Sequence, residues 1–555
     1  VIERGVEISQ EMDRPMSSAV ASTDSLPRVL DALVTEGPDV SMLIDAATGR
    51  HVTRQQFDEE NRAWARRFAA LGVKPGDNVA TMLGPVFDAY HAWLGLSGLG
   101  AVEVPINPQL RGLSLSYLLN HSRARVLVVQ NAYLREVVQV ADSFEHLRTV
   151  VVTDLNGNAE LPDNLPFRVV TGSTFRAREI EVDYRLAERH DTACIIYTSG
   201  TTGPPKGVVI PWGWMMSTRT DIVPRRIAGG TRYSYLSPAH MSGKGALNNA
   251  VAEKRTLVLR ETFSVREFWS DIAKYDCHVS QLFPPMIKYL LDAAPPSELD
   301  RETPLQHIWI APLNPEIQEF MRRFGVAVTT GYGMTEIGGP LAGIDIDAVN
   351  FKTCGTVSPD PRGYEVRIVD EYDREVGPNE VGELIVRTSV PWTLATGYYN
   401  NPQATADAWR NGWFHTGDAM TMDDVGNFYF IDRQKDCIRR KGENISSFEV
   451  EAYACAFPGV AEAAAVGVAS PDGEQDVKIF LVAEKEEGLD LDAMGRWLSE
   501  HMPKFMVPRY LEVLPALPRT PATERIQKAA LQAQTPGPDQ WDRLKSTQPR
   551  QPINR

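Results

Sequence analysis

The chain has 555 residues, 43% of them apolar and 23% charged, with a formal net charge of −15. A single core rarely grows past roughly 250–300 residues, so more than one folding unit is expected. The acidic balance speaks against nucleic acid as a partner, and no apolar run approaches the ~18 residues of a membrane span. Five scattered cysteines without a C-x-x-C pair support neither a disulfide framework nor a zinc site.

Residues 1–25 are polar, without signal-peptide architecture, and read as disordered; with the unpaired cysteines they suggest a cytoplasmic protein. Thr53 and Gln56 have capping-box spacing, and Phe57, Trp64, Phe68 and Leu71 share a helical face that Gly72 ends. Residues 79–83 then read as a buried strand, 87–99 as helix and 101–106 as strand, with further strands at 126–129 and 150–152. Such alternation implies parallel sheets covered by helices, which bind ligands at the carboxyl ends of their strands. Near 363–400 the texture changes to short strands, at 364–369 and 383–386. A second unit starts near Lys435, with apolar runs at 460–468 and 479–483, and from 534 onward few apolar anchors remain. The expected organisation is α/β. A large domain of helix-covered sheets with a β-rich subdomain spans 26–434, a small α+β domain spans 435–533, and 534–555 form a disordered tail.

One stretch carries chemistry by itself. Residues 197–207 read Tyr-Thr-Ser-Gly-Thr-Thr-Gly-Pro-Pro-Lys-Gly, after the apolar run 193–197. Gly200 and Gly203 let backbone N–H groups approach a polyphosphate, Ser199, Thr201 and Thr202 add hydroxyls, and Lys206 adds a mobile cation. No Gly-Lys-Ser or Gly-Lys-Thr follows, so it is not a Walker loop.

This loop resembles the phosphate loop of the adenylate-forming superfamily, which comprises acyl-CoA synthetases, peptide-synthetase adenylation domains and luciferases. Further matches follow in the family's order: Gly331-Tyr332-Gly333-Met334-Thr335-Glu336, then Gly382-Glu383-Leu384 with Gly397-Tyr398. After them come Gly-Trp-Phe-His-Thr-Gly-Asp at 412–418, Asp-Arg-Gln-Lys-Asp at 432–436, and Gly442-Glu443-Asn444-Ile445 with Glu449-Val450-Glu451. Together they cover about residues 30–530.

The resemblance implies a two-step ligase. An acid attacks the α-phosphate of ATP, and a thiol, usually that of coenzyme A, then displaces AMP from the acyl-adenylate. It implies that Thr198, Ser199, Gly200, Thr201, Thr202, Gly203 and Lys206 hold the β- and γ-phosphates. Tyr332, within Gly331-Tyr332-Gly333-Met334, stacks on adenine opposite Ala311 and Pro312. Thr335 contacts the α-phosphate, and Glu336 binds Mg²⁺. Asp418 accepts both ribose hydroxyls, a role suited to an acceptor-only carboxylate, with Arg433 beside it. Lys435 takes the hinge of a mobile small domain. Gly442 lines the pantetheine tunnel, and Arg439, Arg440 and Lys441 are placed to meet CoA phosphates. His240 matches the position that gates the substrate carboxylate, with Trp212, Phe283, Gly338 and Gly339 as further acyl-pocket candidates. Small residues at 243, 245, 338 and 339 suggest a roomy pocket for a large or ring-containing acid. The partners implied are a small carboxylic acid or its adenylate and coenzyme A; a homodimer is left open.

The pattern breaks near the end. The family's Leu-Pro-x-Thr-x-x-Gly-Lys supplies a lysine that bridges carboxylate and α-phosphate, whereas this chain has Leu517-Pro518-Arg519-Thr520-Pro521-Ala522-Thr523-Glu524-Arg525-Ile526-Gln527-Lys528. Glu524 or Arg525 falls at that position, depending on register, and Lys528 comes too late. A flat guanidinium does not replace a compact ammonium between two oxygens, and a glutamate repels both anions. Three readings follow: an enzyme retaining thioesterification with adenylation impaired, with Arg525 the closest stand-in; a complete acid–CoA ligase in which Arg525 or Lys528 substitutes; or a non-catalytic nucleotide-binding partner protein.

Overall fold

The computed structural model describes residues 25–546 except 156–163, 199–203, 218–222, 225, 226, 228, 294, 347–351, 359–361, 434, 435, 437, 441, 442, 471–474, 486, 487, 503–505, 521–525, 536, 538 and 539. Local signals build the first elements. The Thr53 hydroxyl accepts from the Gln56 N–H and the Gln56 side chain accepts from the Thr53 N–H, which starts the helix Arg54–Ala70. Its Phe57, Trp64 and Phe68 are buried, and the helix Phe87–Leu99 packs beside it.

Among the described residues the first of two large sheets has eight strands. At its centre β1 (Asn78–Met82) and β2 (Val102–Pro105) run parallel, and β2 runs parallel to β3 (Thr192–Thr198). β3 turns back antiparallel into β4 (Lys206–Pro211), with Thr198 opposite Lys206. The phosphate-loop sequence is therefore the connection of a hairpin. The second sheet has nine strands among the described residues. Parallel strands β5 (Thr231–Ser234), β6 (Cys277–Gln281), β7 (His307–Trp309) and β8 (Ala327–Met334) lead to antiparallel β9 (Gly338–Gly343). Helix α1 (Met241–Ala252) follows β5. An antiparallel sheet then contains Tyr364–Val369, Gly382–Thr388, β10 (Trp413–Met422) and β11 (Phe428–Arg433).

The small domain opens with the antiparallel pair Ile438–Arg440 and Glu443–Ile445, whose isoleucines join its core, followed by α2 (Ser447–Cys455). It adds a sheet ordered β12 (Val460–Ala469), β13 (Gln475–Ala483), β14 (Tyr510–Val513) and β15 (Trp541–Asp542), with α3 (Lys528–Gln532) between the last two strands. The mixed α/β architecture is as expected, but the reading of 534–555 as a disordered tail is corrected at 540–546. Trp541 packs into the small-domain core, its indole N–H donates to Asp492 at 2.7 Å, and Tyr510 and Leu511 pair with Asp542 and Trp541. One aromatic anchor outweighs the polar composition around it. No described helix is long and apolar enough to cross a membrane.

One buried ion pair fastens α1 to the first sheet. Lys244 on α1 and Glu103 on β2 are wholly buried and bonded to one another. The Thr81 hydroxyl donates to the second Glu103 oxygen at 2.7 Å, and the ammonium lies 4.1 Å from the Trp93 ring centroid. Removing one charge strands the other in a medium that cannot solvate it. Lys244→Met should therefore lower the unfolding free energy by roughly 3–5 kcal/mol. Adding Glu103→Leu should recover much of that loss in urea denaturation, whereas a double variant no better than the single one would show that the charges are uncoupled.

Candidate active site

The sheets and the small domain enclose a cleft of about 1490 Å³. At one end Thr198, Pro204, Pro205 and Lys206 line it; Ser199, Gly200, Thr201, Thr202 and Gly203 lie outside the described residues. Lys206 Nζ sits 4.9 Å from the Tyr398 ring centroid, and the Tyr398 hydroxyl donates to Glu336 Oε1 at 2.9 Å. Glu336 is only 5% exposed. Burial raises its carboxyl above the usual range, against the lowering effect of the Tyr398 bond. Among the described residues no group of three or more His, Cys, Asp or Glu side chains is arranged to hold a metal ion. A lone carboxylate beside a phosphate loop does fit Mg²⁺, which commonly takes one or two carboxylates and completes its shell with phosphate oxygens and water.

The motifs orient one another. An added Cβ at Gly333 would meet the Gly338 carbonyl oxygen at 2.2 Å, so the β8–β9 hairpin that carries Gly331, Tyr332, Gly333 and Met334 closes only around glycine. The Tyr332 hydroxyl donates to Asp418 Oδ2 at 2.6 Å, and burial, with the Asp418 charge and bond added, holds it well above its ordinary pKa. Strand pairing sets Asp418 opposite Arg433, whose Nε is 3.4 Å from Asp418 Oδ1. Glu383 accepts from the Gly417 N–H at 2.9 Å and lies 3.0 Å from His415 Nδ1, which fixes the turn ahead of Asp418. Gly331 to Glu336, Trp309, Ala311, Pro312 and Leu313 line the same space, while Ile310 belongs to the core.

At the third end His240 is the N-cap residue of α1, with Nε2 3.4 Å from Asn107 Nδ2. Phe283, Gly245, Gly338 and Gly339 line this wall with it. Trp212 does not, and that expectation is corrected: it is wholly buried and stacked on Trp93 at 4.9 Å between ring centroids, while Trp214 reaches the cleft. Gly243 leaves no pocket space either, because a Cβ there would meet the Ser237 carbonyl oxygen at 2.1 Å. Sequence reading missed Tyr398 as a site residue, although its Gly-Tyr pair was visible. It also missed Trp214, Arg232, Asn249, Gln281 and His307, which no local pattern marks.

The small domain presents Ser446, Phe448, Glu449, Ala452 and Met506 to the cleft. It is docked where the Ser446 hydroxyl donates to the Ile431 carbonyl and the Ser447 N–H to Asp432 Oδ2, both at 2.6 Å. Lys528 is bonded to Ser447 and pairs with Glu451 at 2.7 Å, and Arg519 pairs with Glu462 at 2.7 Å. None of the described residues in 510–546 lines the cleft. The Arg440 expectation is also corrected: its guanidinium donates to the Val507 carbonyl at 2.8 Å and lies 3.5 Å from Asp476, inside the small domain. The Arg439 backbone forms a strand with 443–445. Lys435, Lys441, Gly442 and Arg525 lie outside the described residues.

Residues 30–399 match the family described as AMP-binding enzyme, and 449–523 match the AMP-binding enzyme C-terminal domain. The chain belongs to the AMP-binding enzyme family. It is 31% identical over 514 residues to a crotonobetaine/carnitine–CoA ligase of Salmonella enteritidis, covering 89% of this chain and 96% of that one. A ligase of the same description from Escherichia coli is 32% identical over 511 residues, covering 88% and 95%. Among solved structures, o-succinylbenzoate CoA synthetase from Bacillus subtilis bound to its acyl-adenylate shares the fold at a TM-score of 0.78. The two are 23% identical, over 92% of this chain and 99% of that one. The same synthetase has also been solved with ATP and magnesium ion. This chain is accordingly an adenylate-forming enzyme of the acyl-CoA ligase type.

Two outcomes follow from the geometry. Asp418→Ala should weaken AMP binding about tenfold or more, on the order of 1.5–3 kcal/mol for a lost charged hydrogen bond, measured by calorimetry. Glu336 has its folded pKa raised, so its contribution to stability is present at low pH and lost as pH rises through that value. Glu336→Gln should melt on the order of 1–3 °C above the parent at pH 8, with the difference closing in acid.

Proposed function

We propose that this enzyme forms an acyl-CoA thioester from a bound acyl-adenylate, with the adenylation half-reaction impaired and thioesterification retained. The observation that carries this reading is Lys528. The last lysine candidate near the family's bridging position is paired with Glu451 and bonded to Ser447, outside the cleft lining. Glu524 or Arg525 stands where the bridging lysine belongs.

Adenylation brings a carboxylate against a phosphate, and the repulsion must be offset as charge develops in the transition state. On this reading Lys206 with the loop at 199–203 grips phosphate oxygens, and Thr335 reaches the α-phosphate. Tyr332, Ala311 and Pro312 sandwich adenine, and Asp418 with Arg433 fixes the ribose. A magnesium ion held by Glu336 and phosphate oxygens would neutralise further charge. The missing ammonium affects only that first step. Thioester formation needs mainly orientation of a thiol against the acyl carbon, because AMP leaves readily. His240 stands at the carboxylate end, and Lys435, Arg439, Lys441 and Gly442 are assigned to the hinge and the CoA approach. The complete ligase is the second reading, favoured by the activities that the curated relatives' names print.

Two assays separate them. Acid-dependent exchange of pyrophosphate into ATP should be weak, while synthetic acyl-AMP with CoA should give thioester readily. Robust exchange would establish the complete ligase, and silence in both with AMP still bound would leave a non-catalytic protein. Arg525→Lys should raise exchange at least several-fold; no change would count against the assignment of that position.

A further inference from the structure

The acyl end of the cleft has a polar floor. In parallel strands, register partners share a face. Arg232 on β5 pairs with Val279 on β6, and Val279 with His307 on β7, so Arg232 and His307 stand in one transverse row. Gln281 and Trp309 form the next row toward the strands' carboxyl ends. Arg232, Gln281 and His307 all line the cleft. Facing them, α1 descends from His240 with Ser242, Gly245 and Asn249 on its cleft side, at the three- and four-residue spacing of one helical face. An added Cβ at Gly245 would meet nothing within 4 Å, so this glycine opens the way down to Asn249. Nine residues separate His240 from Asn249, about 13 Å along a helix.

The floor holds unspent hydrogen-bonding capacity. Arg232 gives Nε and Nη2 to Glu253, and Arg255 lies 3.1 Å from the same carboxylate. Two guanidiniums thus share one carboxylate, which leaves a net positive site. Among the described residues Arg232 Nη1 and the side-chain amides of Asn249 and Gln281 make no hydrogen bond within the protein, and Asn249 Oδ1 is buried without a partner. A plain methyl end would desolvate these unpaired N–H donors without giving them an acceptor, and the net positive charge opposes a cationic end.

We infer that the acyl pocket takes a carboxylic acid bearing a second oxygen acceptor at its far end, roughly 10–13 Å from the reacting carboxyl, held by Arg232 with Asn249 and Gln281, and that it rejects an acid ending in a quaternary ammonium. This rests on the adenylate-binding reading and departs from the substrates named for the crotonobetaine/carnitine ligases. The acceptor is an oxygen of a carboxylate or of a carbonyl, both of which Arg232 and the amides can bond.

The test uses non-hydrolysable acyl-sulfamoyl-adenosines, whose binding needs no adenylation step. Four acyl chains of matched length end in methyl, methyl ketone, carboxylate or trimethylammonium, and affinity is read by calorimetry on the full chain. At least one oxygen-ended analogue should bind about tenfold tighter than the methyl-ended one, or about 1.4 kcal/mol, and the trimethylammonium analogue weaker than both. The carboxylate and ketone arms tell an anionic acceptor from a neutral one. Arg232→Met and Asn249→Leu should each bring the oxygen-to-methyl affinity ratio back toward one. The second variant, on the opposite wall, carries the test if the first fails to fold. Equal affinity for methyl and oxygen ends, or tightest binding of trimethylammonium, would overturn this inference alone. Failure to bind any of the four would overturn the adenylate-binding reading and this inference with it.

Discussion

The ion pair between Glu103 and Lys244 constrains almost everything the cleft can do. It joins a strand of the first sheet to a helix that lines the cleft, and both charges are removed from water. A helix held only by apolar packing could slide or rotate by a fraction of a turn at little cost. Here such a shift would part the two charges in a medium of low dielectric, and it would leave Thr81 and Trp93 without their partners. The register of α1 is thereby fixed against the first sheet. His240 at its head and Asn249 nine residues below inherit that precision.

A second layer of order comes from motifs that grip each other rather than a ligand. Glu383 holds the turn before Asp418, Asp418 receives the Tyr332 hydroxyl, and Glu336 receives the Tyr398 hydroxyl. Each bond links segments that are dozens of residues apart in sequence, so the charged groups of the cleft are aimed before anything binds. Such preorganisation spares the reorganisation that water would need when charge develops. The small domain is coupled to this frame through Asp432, which receives the N–H and hydroxyl of Ser447, while Lys528 braces the same helix through Glu451 and Ser447.

Much of the fold was legible because its signals are local. The capping box at Thr53 and Gln56 formed as read, the helix Phe87–Leu99 ended where Gly100 allows a left-handed residue, and the strand Tyr364–Val369 matched its apolar alternation. Glycine-bearing motifs were legible for a related reason, since close backbone approach at Gly333 leaves a trace in the residue itself. The misreadings arose where identity alone was asked to decide orientation. Trp212 and Trp214 are two residues apart on one helix and so point to nearly opposite sides, and stacking on Trp93 marks which of them faces inward while the other reaches the cleft. Arg440 sits in a basic run that looks solvated, yet Asp476 and the Val507 carbonyl draw it inside. Trp541 had no periodic neighbours to announce a strand, and it found its partner in a strand some thirty residues earlier.

The amino-acid order by itself determined the family, the alternation of strands and helices, and the buried strand that leads into the phosphate-loop sequence. All of these are written in short runs whose meaning depends on near neighbours. Only the tertiary structure decided which side chains share one wall of the cleft, which lysine and arginine are already committed elsewhere, and which face of the small domain meets the cleft. Arg232, Asn249, Gln281 and His307 are spread over some seventy-five residues on three strands and a helix. Their convergence depends on strand order and helix register, which long-range packing and one buried ion pair settle, and which no window of sequence contains.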